Sequence, residues 1–181
     1  MPEPIEPVTL SAPGVQLRPW RLEDAEACTA ACQDPAIQRW TTVPVPYLPE
    51  HGAGFTATSP ERWAEGLASF AIVDPGSGEL LGAHGFVDRP GPGVVEIGYW
   101  IAPGARGRGV ATAATRLVAE WALRDLGEHR VEWRAEVGNT GSRRVAEACG
   151  FTVEGILRGR LAVRGQWRDA WVGGLLATDL A

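Results

Sequence analysis

The chain has 181 residues, of which 22 are acidic and 17 basic, so its formal net charge is −5 at pH 7. This length suits one domain with a core of ordinary size. The negative charge offers no general attraction to nucleic acid or to an anionic membrane, and no apolar run approaches the roughly 18 residues of a membrane span. Three cysteines and three scattered histidines suggest neither a disulfide framework nor a metal site.

The first fourteen residues are predicted to be a loose tail. They carry proline at positions 2, 4, 7 and 13. They lack the basic start and the apolar stretch of a secretory signal, so they are not predicted to be a signal peptide. We therefore expect a proline-rich tail over residues 1–14 and a single domain over residues 15–181.

The remaining elements are predicted from hydrophobic periodicity and from the positions of glycine and proline. Strands are expected at about 15–20, 69–74, 80–88, 94–101, 130–137, 151–163 and 166–177. Helices are expected at about 24–33, 59–67, 107–126 and 139–149, with a proline-rich stretch at 41–50. A strand–helix–strand unit within such a mixture indicates α/β packing around one sheet.

The junction between the strand at 94–101 and the next helix has the composition of an anion site. It reads Arg106, Gly107, Arg108, Gly109, Val110 and Ala111. Glycine lets the backbone approach a ligand closely, and the first-turn amides of a helix have no intrahelical partner. The helix dipole and the two guanidinium groups favour the same anion. The junction thus predicts a pyrophosphate site, and a solvated turn is the alternative.

A second informative segment follows the next strand. Residues 130–137 alternate apolar and charged side chains, which is typical of a half-buried strand. Asn139 is a candidate N-cap and Gly150 a candidate C′ residue of the helix between them. Capping alone would explain Asn139, and a preference for helix starts would explain Ser142.

In these two segments the chain resembles the GCN5-related N-acetyltransferases (GNAT), in particular the RimJ/RimL-type branch that acetylates ribosomal-protein N-termini. The family pattern R/Q-x-x-G-x-G/A is matched by Arg106, Gly109 and Ala111. Its N-x-x-S element, closed by Gly-Phe, is matched by Asn139 and Ser142. The resemblance covers roughly residues 15–180. It implies one domain of mixed α/β (α+β) class, whose mostly antiparallel central sheet is flanked by helices and has two splayed central strands, at 94–101 and 130–137.

The resemblance also implies acetyl-CoA as co-substrate, no metal, and direct transfer of the acetyl group to a primary amine. It makes Ser142 the candidate that assists the leaving thiolate, and it places the oxyanion donors among backbone amides near Trp100 and Ile101. The residues it assigns to CoA binding are Trp100, Ile101, Arg106, Gly107, Arg108, Gly109, Val110, Ala111, Thr112, Asn139 and Ser142.

Glu96 is the candidate general base. Alternation along the strand places Glu96, Gly98 and Trp100 on one face, where a half-buried carboxylate could take the amine proton directly or through water. A salt-bridged structural role is an equal alternative, and His84 and Asp169 are further candidates. An N-terminal α-amine, with a pKa of about 8, needs less help than a lysine amine at about 10.4.

The acceptor is left open between a protein N-terminus and a small amine such as a polyamine or an aminoglycoside. Its specificity should come from residues 37–55 and 157–167. Aromatic side chains that could line its groove, or belong to the core, are Trp40, Tyr47, Phe55, Trp63 and Trp167. Rival interpretations are an acyltransferase with a larger donor such as succinyl-CoA and a non-catalytic CoA-sensing or interaction module. We expect a bacterial cytoplasmic monomer or homodimer without nucleic-acid or membrane partners.

Overall fold

The computed structural model describes residues 3–180, and the strands in this range form one sheet of eight. They are β1 (Leu10–Ala12), β2 (Val15–Pro19), β3 (Ser69–Val73), β4 (Leu80–Gly91), β5 (Val94–Ile101), β6 (Arg130–Glu136), β7 (Thr152–Val163) and β8 (Gln166–Leu176). Their order across the sheet is β1-β2-β3-β4-β5-β6-β8-β7. The β5–β6 pair is parallel and the other pairs are antiparallel, which confirms the predicted mixed, mostly antiparallel sheet.

Helices cover both faces of the sheet. They are α1 (Ala25–Ala31), α2 (Pro35–Trp40), α3 (Pro49–Ala57), α4 (Ser59–Ala64), α5 (Val110–Arg124) and α6 (Thr140–Ala148). None of the helices within residues 3–180 is long and apolar enough to cross a membrane.

Strand β3 shows how the two cores arise. All five of its residues are buried, and its side chains alternate between two hydrophobic clusters. Phe70 and Ile72 join the larger cluster, which contains the buried face of α5. Ala71 and Val73 join a smaller cluster with α1 and α2. A strand covered on both faces has a continuous apolar sequence, which explains the run at 69–73.

The parallel pair β5–β6 opens into a notch. Pairing runs from Val94 and Arg130 to Ile97 and Trp133. Beyond that point residues 98–101 of β5 and 134–136 of β6 separate, as the predicted splay requires. Because α5 follows β5 and α6 follows β6, the starts of both helices lie near the open end of this notch.

Two helices and part of the N-terminal tail differ from the sequence-based expectation. Helices α2 and α3 were not predicted, because each has proline in its first turn, where proline also signals a loop. Helix α3 also contains Gly52, a weak helix former. Glycine is required there by packing, since a Cβ would lie 2.1 Å from Thr29 Oγ1 of α1.

Part of the predicted tail is packed on the domain. Leu10–Ala12 pairs with β2 as an edge strand. Ile5 is only 9% exposed, and its amide donates to the Trp63 carbonyl at 3.0 Å. Apolar side chains between the prolines bury against the core, which a composition-based interpretation of this stretch overlooks. Met1 and Pro2 of the predicted tail, and Ala181 of the predicted domain, lie outside the described residues.

Candidate active site

The loop before α5 presents unpaired amides at a helix start. Gly107 and Gly109 have φ of +72° and +77°, so glycine is needed for backbone conformation. A Cβ at either would meet nothing within 4 Å, which leaves open space beside the loop. The Ala113 amide donates to the Gly109 carbonyl at 3.0 Å and closes the first turn. The three preceding amides, those of Val110, Ala111 and Thr112, therefore lie at the positive end of the dipole.

The two arginines of this loop differ. Arg106 donates through Nη2 to Asp34 Oδ1 at 2.5 Å and through Nε to the Ile101 carbonyl at 3.2 Å. The hydrogen bond from Arg106 is the main cause that lowers the pKa of Asp34. Arg108 lies exposed in the loop. The structure thus gives Arg106 a protein partner, whereas the sequence assigned its guanidinium to the anion.

The Asn139–Ser142 segment forms the start of α6 as predicted. Asn139 Oδ1 accepts from the Ser142 amide at 3.2 Å, so Asn139 is the N-cap. Its capping role occupies that oxygen and leaves the side-chain NH2 group available to other partners. Capping and contact with a ligand are therefore compatible.

The Ser142 hydroxyl lies between two aromatic side chains. Trp133 Nε1 of β6 donates to Ser142 Oγ at 2.9 Å, and the Tyr99 hydroxyl of β5 donates to the same atom at 3.2 Å. An indole N–H can only donate, so Ser142 must accept from Trp133. Once both bonds are made, the Ser142 proton is free to be donated to a third group. This is the property that stabilising a thiolate requires.

Tyr99 is a further candidate site residue, one that was not predicted from the sequence. Alternation along β5 was applied only to the face of Glu96, and the same rule puts Tyr99 on the opposite face, toward α6. Burial raises the pKa of Tyr99 to about 12, so the hydroxyl remains a donor at neutral pH. Its ring stacks on His84, with centroids 5.4 Å apart.

His84 does not have the geometry of a base. It is 3% exposed, and its Nε2 lies 3.1 Å from Thr115 Oγ1 of α5. Burial lowers the pKa of His84 to about 3. Asp169, the other alternative, accepts from the Gly159 amide at 2.8 Å within the β7–β8 hairpin.

Backbone alternation in β5 separates the two predicted oxyanion donors. The Ala102 amide donates to the Leu81 carbonyl of β4 at 2.9 Å. With a period of two, the Trp100 amide also points toward β4 and the Ile101 amide points into the notch. By this alternation Ile101 fits the role better than Trp100, and the oxyanion donor stays a prediction. The Trp100 side chain instead packs against the smaller core cluster.

Glu96 lies one residue before the notch and is held by an arginine. It pairs with Arg134 at 2.8 Å, and its side chain is 12% exposed. Burial raises the pKa of Glu96, an effect that Arg134 opposes. Arg134 also pairs with Glu132 and so serves two carboxylates. The geometry accommodates both roles considered for Glu96, that of a proton acceptor and that of a structural ion pair.

The aromatic residues proposed for the acceptor groove divide into two groups. Trp63 and Tyr47 are buried in the two cores, and Phe55 packs against the smaller one. Trp40 and Trp167 are 38% and 73% exposed. Beside them a cleft of about 360 Å³ opens at the end of β6 and the β7–β8 hairpin. The residues that line it are Glu136, Val137, Trp167, Arg168 and Asp169.

Comparison with known proteins identifies the family. Residues 15–152 match the acetyltransferase (GNAT) domain model, so the chain belongs to the GNAT acetyltransferase family. Among curated relatives, the putative ribosomal N-acetyltransferase YdaF of Bacillus subtilis is 46% identical over 74 residues, which are 41% of this chain and 40% of YdaF. The probable N-acetyltransferase YjcK of the same organism is 40% identical over 83 residues, 46% of each chain. The chain thus spans less than half of the length of these two relatives.

Solved structures extend the match over the whole domain. Mycobacterium smegmatis RimJ in complex with CoA-disulfide superposes with a TM-score of 0.83 at 28% identity, covering 96% of this chain and 88% of RimJ. A GCN5-related N-acetyltransferase from Brucella melitensis gives a TM-score of 0.82 at 27% identity, covering 98% of this chain and 82% of that one. The resemblance to the GNAT family, with RimJ among its structural neighbours, is therefore confirmed.

Proposed function

We propose that the chain transfers the acetyl group of acetyl-CoA directly to a primary amine. The observation that carries this proposal is the meeting of three features at one end of β5 and β6: the unpaired amides at the start of α5, the open notch, and the Ser142 hydroxyl with a free proton. They match, in order, a pyrophosphate, a thioester and a leaving thiolate.

The pyrophosphate is assigned to the amides from Gly107 to Thr112. These groups combine hydrogen-bond donors with the positive end of the α5 dipole, and Arg108 adds an exposed positive charge. The binding of CoA-disulfide by RimJ supports the choice of CoA as the ligand. Asn139, at the start of α6, is assigned to the CoA arm through its free NH2 group.

The acetyl carbonyl is assigned to the notch, where the Ile101 amide points. A neutral amine attacks the carbonyl carbon, and a C–N bond forms while negative charge develops on the oxygen, where this amide stabilises it. The C–S bond then breaks and the sulfur leaves as thiolate. Ser142, held by Trp133 and Tyr99, donates its hydrogen bond to that sulfur. The amine proton leaves to Glu96 or to water.

A protein N-terminal α-amine is the acceptor that we favour. The relative YdaF, a putative ribosomal N-acetyltransferase, connects a related chain with ribosomal N-acetylation. An α-amine is also partly neutral at pH 7, which lessens the need for a strong base. A small amine is the second candidate, supported by the open cleft at the end of β6. We propose that the reaction takes place in the bacterial cytoplasm, by a monomer or a homodimer.

The test is release of the CoA thiol from acetyl-CoA against a panel of N-terminal peptides, polyamines and aminoglycosides. We expect amine-dependent release with at least one peptide, and a faster rate with acetyl-CoA than with succinyl-CoA. Faster release from succinyl-CoA would contradict the choice of acyl group. CoA binding by calorimetry without release by any amine would replace the enzyme with a CoA-sensing module.

A further inference from the structure

We propose that residues 34–43, here called the strap, are held across the open end of the notch by three arginines and position the amine acceptor there. The proposal rests on the proposed function and extends it to acceptor placement. The strap comprises Asp34, the short helix α2 and the residues 41–43 that follow it. Its attachments join both sides of the notch.

The first attachment joins the strap to the side of β5. Arg106, in the loop after β5, donates to Asp34 at 2.5 Å, and its Nε donates to the Ile101 carbonyl. The same Asp34 oxygen accepts from the Ile37 amide at 2.9 Å and caps α2. A single carboxylate thus fixes the start of the helix and ties it to β5.

The second attachment joins the strap to the side of β6. Arg39, in the last turn of α2, makes two hydrogen bonds of 2.8 Å to the carboxylate of Glu136, the last residue of β6. The hydrogen bond from Arg39 is the main cause that lowers the pKa of Glu136. Two parallel N–H···O bonds fix orientation as well as distance. Since β5 and β6 have separated at this point, α2 connects the two walls of the notch.

The third attachment comes from the β7–β8 hairpin. Arg164, in its turn, has φ of +49° and donates to the Val43 carbonyl at 3.1 Å and to the Thr41 carbonyl at 3.5 Å. The inner side of the strap is anchored by Ile37, which is 3% exposed in the smaller core cluster. The strap is therefore held by apolar contacts of Ile37 and Val43 and by the three arginine attachments, and Gln38 Nε2 also donates to the Cys32 carbonyl at 2.9 Å.

The strap places an aromatic ring beside the cleft at the end of β6. The Arg39 guanidinium lies 4.1 Å from the centroid of the Trp40 ring. A Cβ at Gly138 would be 3.9 Å from that ring, so Trp40 lies at the turn between β6 and α6. The cleft itself contains the carboxylates of Glu136 and Asp169 and the exposed ring of Trp167. The Trp167 face and the Asp169 carboxylate are groups that attract an ammonium-bearing acceptor, whereas Glu136 is already paired with Arg39 and Arg168 adds a positive charge to the lining.

The strap can be loosened without unfolding the domain. The Arg39 and Arg106 side chains are 48% and 39% exposed and their carboxylate partners 10% and 15%, and ion pairs that solvent reaches contribute little to folding free energy. The substitution Asp34→Asn keeps a good N-cap and removes the charge that binds Arg106. Glu136→Gln removes the charge that binds Arg39 at the end of β6. Glu23→Gln, which removes the partner of Arg21 in an exposed pair at 3.3 Å, is the matched control.

Amide hydrogen exchange tests the attachments independently of any activity. We expect exchange of residues 35–43 to speed up at least about fivefold in Asp34→Asn and in Glu136→Gln, while α5 stays unchanged. Glu23→Gln should match the unmodified chain. Unchanged exchange over residues 35–43 in both variants would overturn the strap.

Steady-state kinetics test the role in acceptor placement. We expect the two variants to raise the acceptor KM by about fivefold or more, with the acetyl-CoA KM within about twofold. The charge exchange Arg39→Glu with Glu136→Arg should recover part of the acceptor KM. A normal acceptor KM in Asp34→Asn, together with weakened CoA binding in Arg106→Gln, would contradict the attachment role of Arg106. Arg106 would then be a pyrophosphate ligand instead. Absence of turnover in the unmodified chain would refute the proposed function and this role, and hydrogen exchange would still decide the attachments.

Discussion

At the scale of single residues, Ser142 acts as part of a group of three. Its hydroxyl accepts from Trp133 and Tyr99, and these two bonds orient the one proton it can donate. A hydrogen bond to the thiolate strengthens only as charge develops on sulfur. Loss of this hydrogen bond should therefore lower kcat more than it lowers the affinity for acetyl-CoA.

Ser142→Ala is expected to lower kcat by about tenfold to a hundredfold, with acetyl-CoA affinity reduced by less than about threefold. Tyr99→Phe removes a donor to Ser142 and should lower kcat by about tenfold. Because both act on the same proton, the double variant should be no slower than Ser142→Ala. Steady-state kinetics and calorimetry provide the two quantities.

Tyr47→Phe is the control for the tyrosine, since its hydroxyl lies 3.7 Å from Cys28 Sγ, away from the notch. Additive losses in the double variant would show that Tyr99 acts independently of Ser142. Equal losses of kcat and affinity in Ser142→Ala would reduce Ser142 to a binding residue.

Glu96 is tested by the pH dependence of kcat/KM with two amines of different pKa. If Glu96 is the base, log kcat/KM rises with pH to a plateau whose position is the same for both amines, and Glu96→Gln abolishes that limb. Burial raises the pKa of Glu96, which moves this limb toward higher pH than an unperturbed carboxylate would give. A plateau that follows the pKa of each amine would make the carboxylate dispensable.

At the scale of elements, the start of α5 depends on backbone conformation. Gly109 is the N-cap with φ of +77°, a value that a β-branched residue adopts only with strain. Gly109→Val should weaken CoA binding at least tenfold, about 1.4 kcal/mol, as measured by calorimetry. Gly104→Ala is the control, because Gly104 lies in the same connection and an added Cβ there would meet no atom within 4 Å. Unchanged CoA affinity in Gly109→Val would contradict the assignment of the pyrophosphate to this loop.

The contact between β4 and α5 makes stability depend on pH through His84. Burial lowers the pKa of His84 to about 3 from an ordinary value of 6.5. Between these values the unfolded chain binds a proton that the folded chain excludes, so stability is lost as pH falls below about 6.5. From pH 7 to pH 5 this group should cost about 2 kcal/mol of unfolding free energy.

Urea unfolding of the unmodified chain and of His84→Gln at pH 7 and pH 5 measures this contribution. The variant should lose about 2 kcal/mol less than the unmodified chain over that interval. His129→Gln, which removes an exposed histidine, should behave like the unmodified chain. Equal losses in the unmodified chain and in His84→Gln would contradict the buried neutral state of His84.

At the scale of the whole molecule, the features that could be predicted from the sequence are those that depend on residues close together in the chain. The β5–α5 junction and the Asn139 cap were predicted because their signals lie within a few positions. The partner of Arg106 was not, since Asp34 is 72 residues away. Tyr99 and Ser142 are 43 residues apart and meet only because β5 and α6 adjoin the same notch. The choice between the Trp100 and Ile101 amides as oxyanion donors could not be made from the sequence, because it needs the hydrogen-bond direction of β4 and β5.

We propose that this fold carries an acetyl group from CoA to an amine across the notch between β5 and β6. The most direct measurement uses acetyl-CoA with an isotopically labelled acetyl group, an N-terminal peptide that also contains lysine, and tandem mass spectrometry of the product. We predict one label per CoA released, located on the α-nitrogen, and slower labelling in Gly109→Val at acetyl-CoA concentrations that do not saturate the unmodified chain. CoA binding with no label on any amine would contradict acetyl transfer by this chain.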